Sequence, residues 1–184
     1  GDNQASYIGS IRYYYNSILV NIGTGSTISI GVRSINEVDW IDKLNKYDVV
    51  VRPFIDNKFL IVSNILSGGI VYNTLQKFFL DVGKEIFGVE EYQDIWNKME
   101  RLSSFKRSES KLIVYPIFAG RRSNPNEKGV IKGISINNFT PSNLIFSTIQ
   151  GMVKILRENI DDSVISKRKY LVGSGNGLRK NLLF

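Results

Sequence analysis

Three short glycine-containing segments, Gly23-Thr24-Gly25, Gly68-Gly69 and Gly173 to Gly177, sit where apolar runs turn into other elements. Backbone amides and helix N-termini at such junctions can receive phosphate or ribose oxygens. Each also has an ordinary role, as a tight turn, a helix cap or a close packing contact. None fits the Walker or dinucleotide-binding spacing. The chain has no histidine and no cysteine, which excludes Ser-His-Asp and Cys-His catalysis, imidazole bases, disulfides and thiolate or imidazole metal ligands within it. Proton transfer is left to a carboxylate, lysine or tyrosine. Phosphoryl transfer to a hydroxyl suits that inventory, because it rests on positioning and charge stabilisation with one carboxylate accepting the proton. Asp2, beside the chain start, is by itself an N-cap candidate for the helix that follows.

The elements that would position these segments follow from periodicity. Mixed aromatic and aliphatic spacing over 4–15 predicts a short helix. The β-branched runs 18–22 and 27–32, joined by Gly23 to Ser26, predict a hairpin; runs 49–55 and 59–66, joined by Asp56-Asn57-Lys58, predict two more strands. From Gly69 the period changes, and Val71, Leu75, Phe78, Val82 and Ile86 define the apolar stripe of a long helix. A second helix is expected over 90–102, a loop over 103–110, and strands over 112–118 and 129–134. Thr140-Pro141 marks a helix start, followed by the stripe Ile145, Ile149, Met152, Leu156 and Ile160. Tyr170 to Val172 predicts a strand that runs into Gly173 to Gly177 and a helical pattern continuing to Phe184. Strands first, then helices alternating with strands, predict an α/β layered domain with a mixed sheet.

Composition sets the outer bounds. The 184 residues are 42% hydrophobic and 11% aromatic, enough for one globular core. No apolar run is long enough to span a bilayer, and no export signal opens the chain, so neither membrane nor secretion is expected; together with the absence of cysteine this points to the cytoplasm. The formal charge of +7 gathers at Lys106, Arg107, Lys111, then Arg121, Arg122, then Lys167, Arg168, Lys169. Along the sequence these groups lack interleaved aromatics, and no helix carries a continuous basic face, which argues against a nucleic-acid partner.

Taken in order, Gly1-Asp2-Asn3-Gln4-Ala5-Ser6, Gly23-Thr24-Gly25, Gly68-Gly69 entering a helix and Gly175 to Asn181 resemble the C-terminal lobe of the FGGY carbohydrate kinases over essentially the whole chain. Tyr115 to Arg122, Ser123-Asn124-Pro125 and Val172 to Asn181 are most similar to the sedoheptulokinase branch of that family. The resemblance implies an actin-like, RNase H-like ATPase fold, with ATP in a cleft between two lobes and the sugar bound mostly by an N-terminal lobe outside this chain. On this reading the fragment is incomplete at both ends, truncated in its last helix, inactive alone and prone to self-association through the surface the other lobe covers. Carried over by position, Asp2 is the carboxylate that takes the proton from the sugar hydroxyl. Thr24 and Gly25 contact the ATP phosphates. Gly69 is where a helix start approaches the nucleotide, and Asn73 reaches toward it. Gly177 and Asn181 flank the adenine and ribose, although Asn176 and Lys180-Asn181 depart from the family's smaller residues there. Mg2+ would be bridged by the ATP phosphates and acidic groups mostly on the other lobe. The implied reaction gives ADP and the phosphate ester of a ketose, sedoheptulose 7-phosphate first. A xylulose-like sugar or polyol, or a non-catalytic actin-like nucleotide-binding or interaction domain, are the alternatives.

Overall fold

The computed structural model describes residues 1–37, 49–104 and 112–179. Strands β1 (Ser17–Ile22), β2 (Ser26–Val32), β3 (Val49–Pro53), β4 (Phe59–Ile65) and β7 (Tyr170–Ser174) form one mixed sheet in the order β3-β4-β2-β1-β7. The pairs among β1 to β4 are antiparallel, and β1 with β7 is parallel, Leu19 opposite Val172. A second sheet pairs β5 (Ile113–Tyr115) with β6 (Val130–Lys132). The helices are α1 (Asp2–Ser10), α2 (Gly69–Phe87), α3 (Ile95–Ser104), α4 (Pro141–Glu158), α5 (Asp162–Ser166) and α6 (Asn176–Arg179). The α/β class and the mixed sheet are as the sequence predicts.

Period-two alternation sorts the sheet into two buried faces. Ile18, Ile22, Ile28, Ile30 and Ile61 pack with Ile155 and Leu156 of α4, with Ile160 just beyond it and with Val164 of α5. On the other face Leu19, Leu60 and Val62 pack with Tyr7 and Ile11. The first half of α4 leaves the sheet and builds a second core, in which Leu144, Ile145 and Ile149 meet Tyr72 and Leu75 of α2, Met99 of α3 and Val114 of β5. Thr140 caps α4 by accepting the Asn143 amide at 3.2 Å, with Pro141 in the first turn.

Several boundaries move for local reasons. The first helix stops at Ser10, where Ile11 turns extended, rather than reaching Tyr15. Its N-cap is Gly1 with no side-chain bond, so the Asp2 cap is not formed. β3 stops at Pro53, before the turn in which Asp56 and Asn57 adopt φ of 53° and 54°. β5 ends where Pro116 removes an amide, and β6 ends before Gly133 at φ 73°. The third helix begins only after Asp94, at φ 65°. The helix α5, unforeseen, starts behind Asp161, whose carboxylate accepts the Ser163 amide at 2.8 Å. In α2 Val71 and Leu75 are buried as expected, together with Tyr72 and Gly83; Phe78 and Ile86, expected inside, are 50% and 69% exposed. In its second half α2 is met by its neighbours on the side of Phe79 and Gly83 instead. The predicted loop 103–110 and the continuation of the last helix to Phe184 fall largely outside the described residues.

Tyr7 ties the far face together. Its hydroxyl donates to the Tyr14 carbonyl at 2.6 Å, lies 3.0 Å from the Ser17 carbonyl and accepts the Gly31 amide at 3.0 Å. Burial pushes its phenol up to about 12, against the Gly31 bond that lowers it. The folded state therefore holds this proton more tightly than the unfolded chain. The stabilisation is present below the ordinary tyrosine value of 10.0 and is lost as pH rises toward 12. Tyr7→Phe is expected to cost about 1–3 kcal/mol at pH 8 by leaving the Gly31 amide unpaired. It should also flatten the decline of the urea midpoint between pH 10 and 12. A variant as stable as the parent, with an unchanged alkaline limb, would contradict that assignment.

Candidate functional site

The hairpin between β1 and β2 closes with only three loop residues, Ile22 standing opposite Ser26. The Gly23 amide donates to the Gly25 carbonyl at 2.9 Å. The amides of Thr24 and Gly25 have no protein acceptor among the described residues. They form an uncommitted pair of donors of the kind that receives anionic oxygens.

The start of α2 is pressed against this tip. Gly69 donates to the Gly23 carbonyl at 2.8 Å and Ile70 to the Thr24 carbonyl at 2.9 Å. A β-carbon on Gly68 would lie 2.5 Å from the Gly25 carbonyl carbon, and one on Gly69 would lie 2.9 Å from the Gly23 oxygen. Packing of helix on hairpin thus accounts for glycine at both positions, and Gly69 also faces the cleft described below. The first three amides of α2, those of Gly69, Ile70 and Val71, are already bonded, so the open donors belong to the hairpin.

A third segment reaches the same place through the parallel pairing of β7 with β1. Gly175 turns at φ 97° beside the Ile22 carbonyl, and a β-carbon on Gly177 would lie 2.5 Å from the Ile22 side chain. The α6 start is thereby held against the end of β1.

These junctions enclose one cleft of about 400 Å³ at the C-terminal ends of β1 and β7. Thr24, Gly69, Asn73 and Gly177 all line it, brought together from positions up to 153 residues apart. The side chains of Thr24, Asn73 and Asn176 are exposed and have no hydrogen-bond partner among the described residues. Gly25 shapes the hairpin tip without lining the cleft, its position held close to the Ile65 carbonyl. Asp2 is exposed at the start of α1 and is not part of the lining. Asn181 lies outside the described residues.

The apolar wall was not anticipated as part of a site. Ile149 and Met152 come from the α4 stripe, and Tyr72 stacks on Trp96 with ring centroids 5.5 Å apart and planes 23° from parallel. In sequence these residues carry only a core signal, and their second use depends on α2, α3 and α4 meeting beside the hairpin. Burial, reinforced by Glu100, pushes the Tyr72 phenol up to about 12. An apolar wall with an aromatic pair on one side and free amide and hydroxyl donors on the other suits a flat heteroaromatic ligand with a polar tail. Among the described residues the lining holds no charged side chain. Among the described residues no three metal-ligating side chains cluster. No helix among the described residues is long and apolar enough to cross a membrane.

No protein-family model matches the sequence, and no curated protein matches it. Solved structures do match in shape. A xylulose kinase from Bifidobacterium adolescentis superposes with a TM-score of 0.70 at 16% identity, covering 100% of this chain and 33% of its own. A xylulose kinase from Rhodospirillum rubrum gives 0.71 at 15% identity over 98% and 33%. Plasmodium falciparum glycerol kinase with ADP gives 0.66 at 16% identity over 100% and 35%. The chain thus spans about a third of the length of these proteins, and it has the mixed-sheet fold of that third of the sugar kinases.

Proposed function

We propose that this chain is the nucleotide-side lobe of an ATP-dependent sugar kinase. The observation that carries the reading is the convergence of Thr24, Gly69, Asn73 and Gly177 on one cleft that also offers an aromatic wall. The kinase-like fold supports it. In this assignment the Tyr72–Trp96 side with Ile149 and Met152 receives the adenine, and Asn73 and Asn176 bond the ribose. Thr24 and the Thr24 and Gly25 amides meet the phosphates. Mg2+ arrives on the nucleotide, and its chemistry is neutralisation of phosphate charge. Asp2, outside the cleft, serves a hydroxyl presented by a second lobe. That lobe supplies the sugar site, completes the active site and covers apolar surface such as Phe78 and Ile86; without it the fragment turns nothing over and self-associates. Sedoheptulose is the proposed acceptor, on the likeness of 115–125 and 172–181 to the sedoheptulose-phosphorylating branch. Xylulose and glycerol are the rivals, in keeping with the matched structures. Cytoplasmic placement belongs to the same proposal.

Titration calorimetry of ADP into the chain tests the nucleotide half. Saturable binding is expected, weakened about three- to tenfold by Asn73→Ala through loss of a hydrogen bond worth about 1 kcal/mol. No heat with ADP, or equal affinity in the variant, would remove the nucleotide from this cleft. The acceptor is tested in the two-lobed parent by ADP release with sedoheptulose, xylulose and glycerol. Turnover with one of the latter two alone would replace sedoheptulose and keep the kinase reading.

A further inference from the structure

The end of the sheet remote from the cleft carries a second chemistry. β1 and β7 run parallel, so the residues that precede them, Arg12 to Asn16 and Lys167 to Lys169, meet one strand length, about 17 Å, from the hairpin tip. The amides of Lys169 and Tyr170 bond the Asn16 carbonyl at 2.8 and 3.1 Å. Tyr13 and Tyr170 stack there, centroids 5.3 Å apart and planes 20° from parallel, each 47% exposed. Arg12 sits 5.5 Å from the Tyr13 ring centre, and Arg33, at the end of β2, lies 4.8 Å over Tyr15. Arg168 reaches across to the Gly31 carbonyl at 3.1 Å, and its Nε is buried without a partner.

Arg12, Arg33, Lys167 and Lys169 are exposed, and none of them forms an ion pair with the described residues. Among the described residues the acidic groups felt here are Glu37, near Arg168, and Asp56, near Tyr15. Among the described residues two carboxylates stand against five cations, and burial, with Arg33 adding to it, disfavours the charge of Arg168. A like-charged cluster beside exposed stacked aromatics fits a polyanion that also carries flat rings. The linear sequence hides this, since 155 residues separate Arg12 from Lys167 and each half supplies only one ring of the stacked pair.

We propose that this end of the sheet binds single-stranded nucleic acid, with bases stacking on the Tyr13–Tyr170 pair and phosphates meeting Arg12, Arg33, Lys167 and Lys169. The proposal is independent of the kinase reading, which concerns the opposite end of the strands. Its test is fluorescence anisotropy of a fluorescein-labelled twelve-nucleotide oligouridine against the purified protein at several salt concentrations. Four phosphate contacts predict a log–log slope of about −2.8, a loss of about 50-fold between 50 and 200 mM salt. Lys167→Gln with Lys169→Gln should reduce the slope by about 1.4. Tyr13→Ala with Tyr170→Ala should weaken binding at least tenfold with the slope retained, while Tyr13→Phe with Tyr170→Phe should bind as the parent does. All of these side chains are at the surface, and thermal melting verifies each fold. Absence of saturable binding overturns the proposal. So does binding indifferent to the tyrosine substitutions, which would mark a general polyanion patch, or tighter binding to phosphatidylserine vesicles, which would mark a membrane surface.

Discussion

Asp2→Asn in the two-lobed parent is expected to lower kcat by about 10²–10⁴-fold, the range a positioned general base contributes, while KM for ATP changes little. The two effects separate because Asp2 stands outside the cleft lining, on the first turn of α1. Removing it takes away the group proposed to receive the hydroxyl proton and leaves Thr24, Asn73 and the hairpin amides untouched. Asparagine keeps the shape and removes the basicity, so a misplaced helix is a poor explanation for a loss confined to kcat. Steady-state ADP release with saturating sugar provides the measurement. A kcat within threefold of the parent would strip Asp2 of this role, and a rise in KM for ATP with kcat unchanged would make it a nucleotide contact instead.

Gly151→Ala should have the largest effect on stability. Alanine normally favours a helix interior over glycine by about 1 kcal/mol. Here a β-carbon would run into the Val114 carbonyl oxygen and stand 2.7 Å from Pro116 Cδ. Both partners are fixed, Val114 within β5 and Pro116 fully buried behind it. The helix must therefore move away from β5, and α4 is also held to the main sheet through Ile155 and Leu156. Overpacking of this kind costs about 1–3 kcal/mol and sometimes more, which outweighs the propensity gain. A net loss of about 2 kcal/mol is expected, with a fall in Tm of about 4–8 °C for a domain of this size. Gly9→Ala in α1 is the control, because a β-carbon there meets nothing within 4 Å; it should be neutral or stabilising. Equal Tm values for the two variants would show that α4 and β5 are not in rigid contact.

How legible the molecule was depended on the range of the interactions concerned. The hairpin 17–32, the turn at Asp56-Asn57 and the start of α4 at Thr140-Pro141 are set by neighbours within a few residues, through loop length, turn chemistry and a capping hydroxyl, and they stand where the sequence places them. The stripe from Ile145 to Ile160 is buried throughout. The stripe of α2 is not, because spacing specifies that a helix has an apolar side but not the angle at which its neighbours meet it. Phe78 and Ile86 look outward for that reason. Strand ends at Pro53 and Pro116 were overrun because apolar content continues past the residue that stops the hydrogen-bond ladder.

The same division holds for function. Residue types alone removed imidazole and thiol chemistry and left amides, hydroxyls and a carboxylate, since those exclusions need no coordinates. The glycine segments were visible as places where the chain turns tightly. Tertiary structure alone decided that three of them share one cleft, that Gly69 serves the packing of α2 on the hairpin, and that Tyr72 and Trp96 form a wall of the site. It alone placed Tyr13 against Tyr170 among scattered cations. The physical reason is that turn, cap and periodicity preferences act within a few residues. A binding surface is made where distant segments are forced together by the burial of apolar faces, and their relative placement is written in no single segment.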